Sequence, residues 1–225
     1  MAVSPIPHPC SESLRLNLRP ARLPRRFATA PVRTALAGLL AVLSTQASAW
    51  VLTLTSGPRE LYLMVGVGSV VANNATVNTV SVAVPAGSVG SGTAQPMTSD
   101  STQSASPFRT YAVCNPPAQV YVGGSYRAQN ASIGAGRATL QVTTPASLTS
   151  GPNSIPFSEI SWTSTANGDA TADIAAGAFN GGTLLLADIQ RNRAVENCFT
   201  FSYANTTVVP AGTFTGRAVF TLMVP

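Results

Sequence analysis

The sequence predicts an all-β fold, an antiparallel β-sandwich of about nine or ten short strands. Three observations carry that expectation. Period-two alternation and β-branched runs recur from residue 50 onward, whereas few windows show helical periodicity. Gly, Pro and Asn signals separate those runs at the intervals usual in sandwiches. Ser, Thr, Ala, Gly and Val dominate the composition of the same region.

Taken in order, residues 61–67 (LYLMVGV) read as the first long strand. Residues 76–84 (TVNTVSVAV) bring Val77, Val80 or Val82, and Val84 towards a core before Pro85-Ala86-Gly87 stops them. Further strands are expected at 119–126, 138–144, 155–163, 170–175, 183–190, 198–203 and 214–224. The stretch 88–107, rich in Gly, Ser, Thr and Gln, reads as a solvated loop. A helix competes with the strand reading only around 188–196.

Residues 1–49 are set apart as a targeting segment, leaving 50–225 as one β-sandwich domain. An apolar stretch at 36–43 (LAGLLAVL) follows several arginines and precedes Ala47-Ser48-Ala49, so cleavage is expected between Ala49 and Trp50. A compact leader would begin near Val32 or Arg33. The chain would then be secreted, periplasmic or displayed at the cell surface, with no membrane span after cleavage.

Charge divides along the same line. The formal net charge is +5, all thirteen basic residues are arginines, and six of them lie within the first 33 positions. From residue 50 onward seven arginines face seven acids. A neutral domain lacks the basic stripe that nucleic acid requires, so no nucleic-acid partner is expected.

Cysteines follow suit. Cys10 belongs to the leader, and Cys114 with Cys198 is left as an even pair expected to bridge in an oxidising compartment.

The composition also removes most catalytic chemistry. The one histidine, His8, lies in the leader, and the chain has no lysine. Ser-His-Asp, Cys-His, Ser-Lys and P-loop arrangements cannot be assembled from residues 50–225. Gly66-Val67-Gly68 starts like a dinucleotide fingerprint but has Val71 in the third glycine's place. No catalytic residue, metal ligand or cofactor is therefore assigned.

Paired carboxylates are the remaining device, and Glu159, Asp169, Asp173 and Asp188 are the acids to watch. Asn167, Asp169, Thr171 and Asp173 alternate, which suits a polar outer strand face better than the six to eight oxygens of a calcium site. Phe108, Tyr111, Tyr121, Tyr126 and Trp162 offer either a sugar-stacking platform or core packing. Asn74, Asn130 and Asn205 open N-x-Ser/Thr triplets.

The segment Val209-Pro210-Ala211-Gly212-Thr213-Phe214-Thr215-Gly216-Arg217-Ala218-Val219-Phe220-Thr221-Leu222 resembles the closing turn and last strand of secreted spore-coat-U-type and chaperone–usher pilin-like subunits. The stretches Cys114–Gly124 and Glu196–Tyr203 are similar to those of uncharacterised secreted bacterial β-sandwich proteins. These resemblances imply an immunoglobulin-like or pilin-like sandwich and an exported, non-enzymatic structural or adhesive role. They also imply a terminal strand (Phe214, Ala218, Phe220, Leu222 and Val224) that completes its own sheet or is exchanged. The partner would be another copy of the chain or a periplasmic chaperone at an edge strand. A soluble glycan-binding module is the alternative. Val224 stands where pilin-type chains usually place an aromatic residue.

Overall fold

The computed structural model describes residues 52–70, 78–109, 111–129, 136–167 and 171–224. In chain order its strands are β1 (Leu52–Thr53), β2 (Glu60–Val65), β3 (Gly68–Val70), β4 (Val80–Ser81), β5 (Gln95–Pro96), β6 (Thr98–Ser99), β7 (Val120–Arg127) and β8 (Arg137–Thr143). They continue as β9 (Ser147–Ser150), β10 (Asn153–Pro156), β11 (Ile160–Ser164), β12 (Gly177–Ala178), β13 (Thr183–Gln190), β14 (Arg193–Tyr203) and β15 (Val219–Met223). Among the described residues the only helical pieces are the 3-10 turns Ala86–Ser88 and Phe157–Glu159. The fold is all-β, and its strand pairings are antiparallel. It has more strand segments than the expected nine or ten, because two-residue pairings leave no readable alternation.

A large sheet runs β12-β11-β14-β7-β2-β3, with β1 and β5 also pairing with β14. A smaller sheet runs β13-β8-β15. The small sheet lies across the large one, with β15 against β2 and β13 against β14 and β7, in the manner of a sandwich. The hairpin β9-β10 and a separate two-residue pairing of β4 with β6 stand outside these two sheets.

Alternation decides which side chains meet between the sheets. From the large sheet come Leu61, Leu63, Val120, Val122, Tyr126, Val195, Phe199 and Phe201; from the small sheet come Ala138, Leu140, Val142, Ile189, Phe220 and Leu222. Gly124 lets the sheets approach, since a Cβ there would lie 3.2 Å from Leu222 and 3.4 Å from Ile189. At one end of the core Trp162 stacks on Phe199 at 5.4 Å and leans on Phe179 at 5.0 Å. Its indole N–H donates to the Ala175 carbonyl at 3.0 Å.

Several expected elements change shape for local reasons. The strand at 61–67 stops at Val65, because Gly66 turns the chain with φ +57° into β3. Of 76–84, residues up to 77 lie outside the described residues and only Val80–Ser81 pair, although Val80, Val82 and Val84 still pack on the core. Pro156 and the turn after it break 155–163 into β10 and β11. Residues 171–175 are irregular rather than a strand, with Ile174 fully buried, and Ala170 is outside the described residues.

The helix considered at 188–196 is instead the end of β13, a turn with Asn192 at φ +57°, and the start of β14, which carries the chain from the small sheet to the large one. The loop at 88–107 is partly embedded: it carries β5 and β6 and buries Met97, Ser101 and Ser106. The final expected strand, 214–224, narrows to Val219–Met223, with Thr215 bridged separately to Thr149. The leader, the Ala49–Trp50 junction, Asn74, Asn130 and Asp169 lie outside the described residues.

Candidate functional site

The middle of the large sheet's outer face, over Met64, Tyr121 and Glu196, is covered by residues 101–114, of which Thr110 is not described. This segment forms a narrow strap, bridged between Ala105 and Ala112. Cys114 ends it and meets Cys198 of β14 at disulfide distance, with an S–S separation of 1.91 Å. Beneath the strap Met64, Tyr121, Cys114 and Cys198 form a second small core, flanked by Tyr62 and Val113. Phe108 of the strap meets Tyr62 edge to face at 5.6 Å.

Glu196 holds the strap from below. It is 2% exposed. Its carboxylate lies 2.6 Å from Arg109 Nε, accepts a hydrogen bond from Ser106 Oγ at 2.5 Å and another from Tyr121 Oη at 3.1 Å. Ser106 Oγ in turn accepts the amide hydrogens of Phe108 and Arg109, both at 3.0 Å, which shapes the strap's tip. Burial, and then the neighbouring Glu196 charge, push the Tyr121 phenol upward, so it stays protonated and donating.

Gly123 makes this geometry possible. It pairs with Glu196 across the strands, and a Cβ there would fall 2.5 Å from the Tyr121 hydroxyl. The adjacent glycines of β7 thus serve opposite faces: Gly123 admits the Tyr121 ring outside, and Gly124 admits the small sheet inside.

A second polar centre joins residues 85–92 to the sheet end. Asn205 is fully buried, at φ +57°. Its side chain accepts from the Gly90 amide at 3.0 Å and donates to the Ser88 carbonyl at 2.7 Å and Ser91 Oγ at 3.0 Å. Beside it, Glu159 accepts hydrogen bonds from the Thr206 amide at 2.9 Å and from Thr207 Oγ1. Burial works to raise the Glu159 carboxyl, but those hydrogen bonds outweigh it and hold it below the usual carboxylate range. The resulting stabilisation is present above the ordinary carboxylate pKa and is lost as pH falls through the lowered one. Nearby, burial and then Glu159 push the Tyr203 phenol up.

The six described acids of the domain act as fasteners. Glu60 pairs with Arg127, Asp188 with Arg137 at 3.9 Å, and Asp100 accepts the Thr79 amide at 2.8 Å. Asp173 accepts from the Glu196 amide at 3.4 Å, while Glu159 and Glu196 are held as above. Asp173 therefore ties residues 171–175 to β14 instead of standing on a strand face with Asn167 and Thr171. Asn167, at φ +49°, donates to the Glu196 carbonyl at 3.2 Å. Among the described residues no group of three His, Cys, Asp or Glu side chains could hold a metal ion.

The aromatic residues divide between core and surface. Tyr121, Tyr126 and Trp162 are buried and Tyr111 is half exposed, so the five do not form one platform. Asn205, being wholly occupied inside, is not available to a glycan in the folded chain.

The small sheet presents a different outer face. Register places Val219, Thr221 and Met223 of β15 beside Thr143, Gln141 and Thr139 of β8, all pointing away from the core. Beyond them on β13 lie Thr183, Leu185 and Asp188. Val219 is 48% exposed and Met223 41%. Of the expected terminal-strand residues, Phe220 and Leu222 point inward, and Phe214, Ala218 and Val224 also pack against the core. Among the described residues, β15 pairs with β8 alone. No described helix is long and apolar enough to cross a membrane.

Sequence reasoning did not anticipate the strap, Glu196 or the asparagine anchors. The available signals were the adjacent Gly123-Gly124 inside a strand and the acid Glu196 close to Cys198 in another. Comparison with family models, curated proteins and solved structures finds no match to the chain.

Proposed function

We propose that this chain is an exported, non-enzymatic structural or adhesive protein of the cell surface, pilin-like in joining neighbours through the edge of a β-sheet. The state of the sheet edges carries the reading. β13 is interrupted by a bulge between Leu185 and Ala187 and bears Asp188, two devices that discourage strand addition. At the ends of the large sheet, β12 offers two residues and β3 three. β15 is regular over five residues and has neither charge nor proline. It is the edge best suited to accept another strand.

Addition to β15 fits better than its removal. Withdrawing β15 uncovers Phe220 and Leu222, at a cost of roughly 3 kcal/mol for their partly buried side chains. Pairing at its free side leaves those contacts intact. The disulfide agrees with an oxidising compartment, and the lack of histidine and lysine beyond residue 49 supports a non-enzymatic role. A glycan-binding role has less support, because three of the five aromatics that would serve it lie inside.

The test is amide hydrogen exchange on the oxidised protein, dilute and concentrated, alongside light scattering. Protection gained at residues 219–223 on association, with 52–53 unchanged, is the expected result. A monodisperse monomer at every concentration, with 219–223 already fully protected, would sink the reading.

A further inference from the structure

We propose that the neighbour is a second copy of this chain, its β15 pairing antiparallel with the first β15 about a two-fold axis at Thr221. The inference rests on the edge-joining role above and names the partner. The strand Val219-Phe220-Thr221-Leu222-Met223 has the same pattern in both directions, two apolar residues on either side of a threonine. Turned antiparallel about Thr221, it sets Val219 opposite Met223 and Phe220 opposite Leu222.

Both pairs are matched by face. Val219 and Met223 point outward and are exposed in the single chain, so each covers the other on pairing. Phe220 and Leu222 point inward, opposite Val142 and Leu140, so the new pair extends the core across the axis. No charge on β15 opposes an identical strand, whereas a β13–β13 pairing would bring two copies of Asp188 and two bulges together. The joined sheet runs β13-β8-β15-β15-β8-β13 and ends on the bulged strand at both sides. The contact is isologous and closes at two chains.

Thr221 lies on the axis, which gives a direct test. In the oxidised full-length secreted protein, Thr221→Lys and Thr221→Glu each place like charges opposite one another. Each should weaken dimerisation at least tenfold by sedimentation, and mixing the two variants should restore a dimer. Thr221→Cys should cross-link to itself, since directly opposed residues lie about 4.5–5.5 Å apart between Cα atoms, within the disulfide range. Val219→Cys should cross-link with Met223→Cys rather than with itself. Unchanged far-ultraviolet circular dichroism shows that each variant has folded.

A dimer that persists undiminished in both charge variants overturns the inference. If the wild-type chain is monomeric but the Thr221→Cys variant captures a different extended segment, self-pairing fails while the edge-joining role stands. If that variant captures nothing and no association occurs, both fail.

Discussion

The two outer faces of the sandwich are finished in opposite ways. On the large sheet, the strap over Met64 and Tyr121 is fixed by a disulfide, a buried carboxylate and its arginine, so the part of that face beneath it is closed to water. On the small sheet, threonines, glutamines and two exposed apolar residues of β15 lie open, beside an edge without a partner among the described residues. Both are outward faces of antiparallel strands with similar alternation. The difference lies in what covers them. A face sealed at this energetic cost is a scaffold; an edge strand left uncharged and regular, as β15 is, is where another chain can be accommodated without rearranging the first.

The largest effect should come from opening the seal. Replacing Cys114 and Cys198 by serine frees a loop with a sequence separation of 84. The chain-entropy model puts the loss at about 4–5 kcal/mol for a loop of this length. Denaturant unfolding of the oxidised protein and the double variant measures it, and a loss below about 1 kcal/mol would mean that the strap is held without the bridge. Next comes Glu196→Gln, which leaves the Arg109 guanidinium buried without its carboxylate. A cost of about 3 kcal/mol is expected for breaking a buried pair from one side. Adding Arg109→Met should recover part of it, and the double-mutant cycle gives the coupling. Neither change should alter association through β15, which lies on the other sheet.

The open side was far more legible in the sequence than the sealed one. Strand β13 coincides with the expected 183–190, and β8 shifts by a single residue from 138–144, because period-two alternation is a local signal; the strands of the large sheet are as readable by it, as β7 against 119–126 shows, but what covers them is not. A terminal strand at 214–224 is read from alternation too, and its resemblance to the last strand of pilin-like subunits singles it out, although only Val219–Met223 pair.

The seal depends on contacts distant in sequence. Ser106 and Glu196 are 90 positions apart, and nothing local to either announces the other. Cysteine parity gave the bridge, but not that it fastens a strap. The polar loop at 88–107 read as solvated because composition cannot reveal that Met97 and Ser106 are buried by a sheet formed elsewhere in the chain. Likewise Asn192 and Asn205 look like ordinary turn residues until their left-handed backbones and side-chain bonds are seen together.

One matched exchange isolates the difference between the faces. Met64 and Met223 both point outward from their sheets, but Met64 is 7% exposed under the strap and Met223 is 41% exposed. At Met64 a lysine loses buried apolar contact and must push its ammonium past the strap, so Met64→Lys should cost roughly 2 kcal/mol or more. At Met223 the same side chain extends into water from an exposed position, and Met223→Lys should change stability by no more than about 0.5 kcal/mol. What Met223→Lys should change is association, because an ammonium at the edge replaces an apolar surface that a neighbouring strand would cover. Unfolding measured in dilute solution separates the two effects. Equal costs at the two positions would mean that the faces are equally covered, and the contrast between sealed and open sides would then fail at its most accessible point.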